Sequence, residues 1–592
     1  MSRGSLSGSS PIRQLFLEFG FDPNVFPMLP CGGFVSGRCN LKRLIASACL
    51  VSMLVSALPA QERVDLDMVT KIRLEGFNNS KVMDTASQLM DRIGPRLTGS
   101  PQAKAANEWT RDQLAQWGMA NAHLEAWGPF GRGWWYEKSS VRMTAPDFAQ
   151  LTAYPRPWTP GTSGVVKAKV VRLNPTSKDD LPNFKGKFAG KIVLFGDPVK
   201  MELHVKPDLE RYDEKELAKI AEYSEEPRRR YDREEFRRRA DLRRAVDKFL
   251  EDEKPLAVID CGRGDLGVFG VQASGDDYRM SKPLPKMTTL IMEPEHFGRL
   301  ARLLDAKTDV ELELDVNAHF IDEDQMQWNT IAEIPGTDKK DEVVMLGAHL
   351  DSWQGATGAT DNGAGSVAVM EAMRILKAVG AKPRRTIRVG LWTGEEQGLY
   401  GSKAYVDQHF ASRPPLTKEE QDQPFYMRKD KWPLTVKPEH AKLAAYFNLD
   451  NGSGKIRGIY CEDNAAVAPI FEAWLAPFND LDAKTVTLNR TGGTDHQSFD
   501  KVGLPGFQFI QDALDYETRT HHTNMDNYER LQKDDLMQAS IILATFAYNA
   551  ATRDAMLPRK PLPQEPPSEK KPEEKKEDRN APPAKPAEPH AM

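Results

Sequence analysis

Between residues 82 and 117 apolar side chains recur at helical spacing. Val82, Ala86, Leu89, Met90 and Ile93 form one series, closed by the turn Gly94-Pro95-Arg96, while Ala105, Trp109, Leu114 and Trp117 mark the apolar side of a second helix over 102–117. From about 146 to 316 the pattern changes to short β-type runs, such as 164–173 and 191–195, separated by Pro and Gly turns. A charged block at 208–254 sits inside that stretch and contains Arg228 to Arg230 and Arg237 to Arg239. Acidic residues are interleaved with the arginines, and Phe236, Leu242, Val246 and Phe249 leave a sparse apolar seam. The block therefore predicts a solvated, partly packed helix rather than an anion-binding surface. From 329 to 557, β-type runs at 343–346, 386–392, 443–449 and 506–510 alternate with helical segments such as 367–379. That alternation predicts an α/β fold with a mostly parallel central sheet sandwiched by helices.

The pattern divides the chain into five parts: an N-terminal extension with a targeting signal (1–60), the first part of the main domain (61–145), an inserted β-rich domain with the charged helical segment (146–316), the rest of the main domain (317–557) and a tail (558–592). The tail is rich in Pro, Lys and Glu with almost no large apolar residues, and is expected to be disordered. A chain of 592 residues is too long for one ordinary core, and 40% hydrophobic with 28% charged residues is a soluble globular balance. The formal net charge of −5 is too mild to argue for nucleic acid or a membrane surface as a partner.

Lys42 and Arg43 precede an apolar run at 44–58, and V-S-A or L-P-A precedes Gln61. This is the pattern of a signal peptide over 41–60, so the mature protein is expected to be secreted or periplasmic. The run falls short of the roughly 20 residues a spanning helix needs, so no stable membrane span is expected in the mature form. An uncleaved anchor or a buried helix is the competing reading. The residues ahead of the run fit no such pattern and suggest a start codon placed too far upstream. Of the cysteines, Cys31, Cys39 and Cys49 lie in or before this segment, which leaves Cys261 and Cys461. No disulfide scaffold is implied, the pairing of those two is open, and the lack of any CxxC spacing argues against a thiol zinc site.

The chemistry gathers at the ends of the β-type runs. The run at 343–346 leads into Gly347-Ala348-His349-Leu350-Asp351, that at 386–392 into Thr393-Gly394-Glu395-Glu396-Gln397-Gly398, and that at 443–449 into Asp450-Asn451-Gly452. Ligands of open α/β sheets bind outside the carboxyl ends of the strands, so these groups are expected to converge. Asp361 lies at a turn before a helical run, near the same edge, and His521-His522-Thr523 follows the run at 506–510. Two imidazoles with three or four carboxylates suit zinc better than calcium or magnesium, which prefer all-oxygen shells. Singly, a strand-end His is more often structural and a Glu-Glu pair is often solvated surface. Their repetition at successive strand ends is what marks a site.

GAHLDSW at 347–353, ATDNGAG at 359–365, LWTGEEQGLYGS at 391–402, NLDNG at 448–452, GGTDHQSF at 492–499 and HHTNMD at 521–526 resemble, in order, the motifs of the di-zinc exopeptidases. That family includes bacterial leucyl-type aminopeptidases and glutamate carboxypeptidase. The likeness runs from about Val69 to Pro558, takes in IGPRLTGS at 93–100 and HLEAW at 123–127, and is nearest to the secreted glutamate carboxypeptidase branch. It implies the zinc-peptidase fold, with the insert as a protease-associated domain, and two zinc ions as cofactors. His349 and Asp450 would hold one ion, Glu396 and His522 the other, and Asp361 would bridge them. Glu395 would be the general base acting on a metal-activated water, and Asp351 would orient the imidazole of His349. His522 is preferred to His521 because Thr523 and Asp526 satisfy the family spacing. Asp495 and His496 match the family's S-D-H element, with Thr494 in place of serine, and are expected to line the substrate cleft.

The implied substrates are short peptides or dipeptides. The motifs leave open which chain end is attacked, and a homodimer is compatible with the family. Two other readings compete. A receptor-like binding protein on this fold would have lost metal ligands, whereas all five ligand positions and Glu395 are filled here. A glutaminyl-cyclase-like acyltransferase uses a single zinc, and Glu395-Glu396, His349 and the insert favour the peptidase.

Overall fold

In the computed structural model, residues 62–224, 233–273, 277–421, 423 and 428–566 are described. The expected signal peptide at 41–60, the extension before it with its cysteines, Arg228 to Arg230, and the tail from 567 onward lie outside the described residues. Among the described residues no helix is long and apolar enough to cross a membrane.

The main sheet has eight strands: β1 (Ala120–Trp127), β2 (Gln327–Ile334), β3 (Lys339–His349), β4 (Arg385–Trp392), β5 (Leu443–Asn448), β6 (Ile456–Tyr460), β7 (Thr485–Thr487) and β8 (Gly506–Gln511), in the spatial order β1-β2-β4-β3-β5-β8-β6-β7. The centre, β4-β3-β5-β8, is parallel throughout. The exceptions to the expected mostly parallel arrangement lie in the flanks: β2 is antiparallel to β1 and β4, and β6 is antiparallel to β8, while β6 and β7 are parallel. The sheet is therefore mixed. The links 335–338 and 449–455 are too short for a crossover and can only reverse the chain.

The central strands read as apolar runs because both faces are buried. Val344 and Leu346 of β3 and Phe447 of β5 face a core shared with α1 (Leu66–Asn78), α2 (Pro101–Gln116), α3 (Ala364–Ala378) and α5 (Lys533–Thr552). Met345 and Tyr446 face the opposite core, which α4 (Tyr400–His409) closes with Tyr405 and Val406. Packing on both sides holds the carboxyl ends of β3, β4 and β5 level at one edge.

A second eight-stranded sheet takes in Gly133–Ala145 and the insert, ending with Glu311–Ile321, which pairs antiparallel to Gly133–Ala145. It has its own core around Val141, Ile192, Ile259, Leu290, Phe297 and Leu312. The charged block forms a helix over Arg233–Glu253. Val246 and Leu250 are buried against Leu173, Phe188 and Val193, with Leu242 and Phe249 half-buried beside them, while Arg237, Arg238 and Arg239 are exposed. Cys261 and Cys461 are unpaired.

Residues 558–560, where the disordered tail was expected to begin, pack on the main domain. Arg559 donates to the carbonyl of His440 at 3.0 Å and Lys560 to that of Glu462 at 2.7 Å. Charged heads binding main-chain carbonyls order this stretch without the apolar burial its composition lacks.

Candidate metal centre

β3 ends on His349, β4 is followed by Glu395 and Glu396, and β5 by Asp450. Because these strands are parallel and adjacent, their side chains meet at one edge. His349 Nε2 lies 3.3 Å from Asp361 Oδ1 and 3.4 Å from Asp450 Oδ1. The other oxygen of Asp361, Oδ2, is 3.2 Å from His522 Nε2, which in turn is 2.9 Å from Glu396 Oε2. One carboxylate therefore faces two imidazoles, each with a further carboxylate. His521 approaches Asp361 Oδ2 only to 3.9 Å, and its ring stacks on Tyr516. A narrow recess lined by Trp353, Asp361, Glu396, His522, Thr523 and Asp526 opens at this point.

The donor set fits a cation. Asp361 Oδ2, Glu396 Oε1 and Asp450 Oδ1 are buried with no hydrogen-bond donor. Burial, reinforced by Asp361, pushes Glu396 up to about 7 against the pull of His522. Burial disfavours charge on both imidazoles, yet Asp450 raises His349 and Glu396 raises His522, so both end well above their usual value. Burial alone would also raise Asp361, but His349 and His522 outweigh it and hold that carboxyl well down. Protons on the imidazoles thus balance the carboxylates, and divalent ions bound by those nitrogens and oxygens would do so better. Imidazole with carboxylate is a zinc-type set.

Around the centre a shell of hydrogen bonds sets the loops. Asp351 Oδ2 accepts from Thr98 Oγ1 at 2.8 Å, and its carboxylate also accepts from the N–H groups of Glu395 (3.3 Å) and Glu396 (3.4 Å). The acceptor nearer His349 Nδ1 is the Asp351 carbonyl, at 3.1 Å, with the carboxylate at 3.6 Å. Asp526 accepts from Thr360 N–H (2.6 Å), Thr360 Oγ1 (2.7 Å) and Asp361 N–H (3.0 Å), which aims the Asp361 loop. Burial and the nearby Asp361 push Asp526 up to about 7.

Arg96 is the member that sequence reasoning did not single out. Its fully buried guanidinium donates to the carbonyls of Gly94, Leu350, Thr357 and Gly358 at 2.6–3.0 Å. It ties the turn at 94–96 to both ends of the loop after β3. The stretch 93–100 carried the family likeness, but only the fold shows which carbonyls surround the arginine.

Asp495 is buried beside His349 and Asp450 with both oxygens lacking a donor, and burial pushes it up to about 7. His496 does not line an open cleft. It is fully enclosed, and its Nε2 turns to the Thr491 carbonyl at 3.3 Å and Glu462 at 3.5 Å, with burial lowering it to about 4.

Residues 329–547 match the family model for Peptidase family M28. The chain is 26% identical over 496 residues to a carboxypeptidase Q of Bos taurus, covering 83% of this chain and 89% of that one. With a carboxypeptidase Q of Mus musculus it shares 25% over 502 residues, covering 83% and 90%. Among solved structures, a Peptidase M28 precursor from Shewanella amazonensis superposes with a TM-score of 0.57 at 23% identity, covering 84% of this chain and 99% of that one, a likeness of fold.

Proposed function

This chain belongs to peptidase family M28 and is a zinc metallopeptidase, and on that premise we propose that it is a secreted di-zinc exopeptidase. It would hydrolyse terminal bonds of short peptides or dipeptides. The observation that carries this reading is the placing of Asp361, with one oxygen toward His349 and the other toward His522. His349 and Asp450 would hold one zinc, Glu396 and His522 the other, and Asp361 both. Two zinc ions held there would polarise the scissile carbonyl and lower the pKa of the attacking water from about 15.7 towards 7.

The chain's own residues supply the rest. Glu395 takes the proton of the attacking water and returns it to the leaving nitrogen as the C–N bond breaks. Its backbone N–H is fixed by Asp351, and its side chain is buried at the end of β4. Burial raises its proton affinity, with Asp450 and Asp495 adding to the effect against His349, so it is suited to hold that proton in transit. Thr98 and Asp351 keep Glu395 and Glu396 in register, and Asp526 keeps Asp361 aimed inward. The pattern at 41–60 supports export, and the family likeness supports reading the second sheet as a protease-associated domain and the protein as a homodimer.

The test is metal content of the purified mature protein, with hydrolysis of a dipeptide panel before and after chelation. Two zincs per chain and chelator-sensitive release of amino acids are expected. A folded protein that is metal-free and inactive sinks the proposal, and zinc with pyroglutamate formation turns it to a cyclase.

A further inference from the structure

The loop that presents His522 is braced by residues 267–271 of the insert, where Val268–Phe269 forms a two-stranded ribbon with Gly264–Asp265. The Val271 N–H donates to the His522 carbonyl at 2.9 Å, and the Asn524 N–H donates to the Phe269 carbonyl at 3.1 Å. The Asn524 side chain closes the contact in both directions. Its Oδ1 accepts from Phe269 N–H at 2.8 Å and its Nδ2 donates to the Gly267 carbonyl at 3.0 Å. Gly270 and Thr523 pair antiparallel between these bonds.

The same segment touches the other loop of the centre. Val271 lies against Gly355, where an added Cβ would come within 2.4 Å of its side chain, and Gln354 Nε2 donates to its carbonyl at 3.4 Å. Residues 267–271 thus sit between the loop after β3 and the loop at 520–526. His522 itself has φ of 59°, in the left-handed region, which residues with a β-carbon adopt uncommonly and at a cost that surrounding contacts support. The contacts from Val271 to its carbonyl and from 267–269 to Asn524 are that support.

We propose that segment 267–271 is a positioning element of the metal centre, with Asn524 as its main contact. It holds His522 in the backbone conformation that turns the imidazole toward Asp361 and Glu396. Seating of the segment and zinc occupancy of the His522 position are then coupled, and coupling of two binding events acts in both directions. The inference rests on His522 being a ligand, as proposed above.

The experiment measures zinc affinity by competition with a chelator in the full chain and its Asn524→Ala, Asn524→Asp and His522→Ala variants. Asn524→Ala should weaken one zinc about 10- to 100-fold, the scale of losses when partners of a ligand are removed, and leave the other unchanged. Asn524→Asp, which keeps the acceptor for Phe269 N–H, should lose less. In the unaltered chain, adding zinc after chelation should slow hydrogen exchange at the Phe269, Val271 and Asn524 amides. Unchanged affinity in Asn524→Ala, with an ion lost in His522→Ala, overturns this proposal and leaves the ligand assignment standing. Both ions retained in His522→Ala overturns the assignment and this proposal with it. If Asn524→Ala unfolds, the exchange measurement decides, and amides at 269 and 271 that ignore zinc reject the coupling.

Discussion

The two halves of the metal centre are built in different ways. His349 and Asp450 stand at the ends of adjacent parallel strands, with side chains 1% and 7% exposed. His522 stands on a loop, 27% exposed, in a left-handed conformation and braced by residues 267–271 of the insert. A strand end inherits its position from ladder hydrogen bonds and from cores on both faces, whereas a loop takes its geometry from what covers it. One half is made by the fold of the main sheet, the other by the seating of a short segment of the insert, residues 267–271, against its loop.

Asp361 is the side chain the halves share, so Asp361→Ala should have the largest effect. Zinc content should fall at both positions and activity with it, read by metal analysis; unchanged stoichiometry would remove its bridging role. Glu395→Gln should spare both halves. A fall of about 10²- to 10⁴-fold in kcat at constant zinc content is expected, and zinc lost in that variant would mean that Glu395 is itself a ligand.

Arg96 braces the loop after β3, through the carbonyls of Leu350, Thr357 and Gly358. Arg96→Met should leave those buried acceptors without a donor, at a cost of about 3 kcal/mol in chemical unfolding. A loss below about 1 kcal/mol would show that the loop after β3 is held by other contacts.

The smallest effect belongs to His204, which bonds Asp208 at 2.8 Å and Asp265 at 2.9 Å, next to the bracing segment. Asp265 and then Asp208 raise its pKa above the usual value. Since the folded pKa is the higher one, its contribution is complete below about pH 6.5 and is lost as pH rises through the folded pKa. The thermal midpoint should drop slightly between about pH 6 and about pH 8. His204→Gln should flatten that slope, and an identical slope in the variant would show that His204 has no part in it.

The strand side of the centre was the more legible in sequence. His349, Glu395, Glu396 and Asp450 each follow an apolar run, and burial on both faces of the sheet makes such runs visible in a short window. Strand direction was not visible there, so the reversed flanks were missed. The one clue was the shortness of 335–338 and 449–455. His496 illustrates another limit. It directly follows Asp495 but opens a helical turn, His496–Asp500, where consecutive side chains diverge by about 100°. The two neighbours therefore face different surroundings.

By itself, the sequence determined the α/β pattern, the strand ends that bear imidazole and carboxylate, and the family they resemble, because periodicity and strand-end chemistry are local properties of the chain. Only the tertiary structure decided that Asp361 looks two ways, that Arg96 stitches the loops, and that His522 leans on residues 267–271. Most of those contacts join segments distant in the chain, and their geometry exists only once the insert has packed on the main domain.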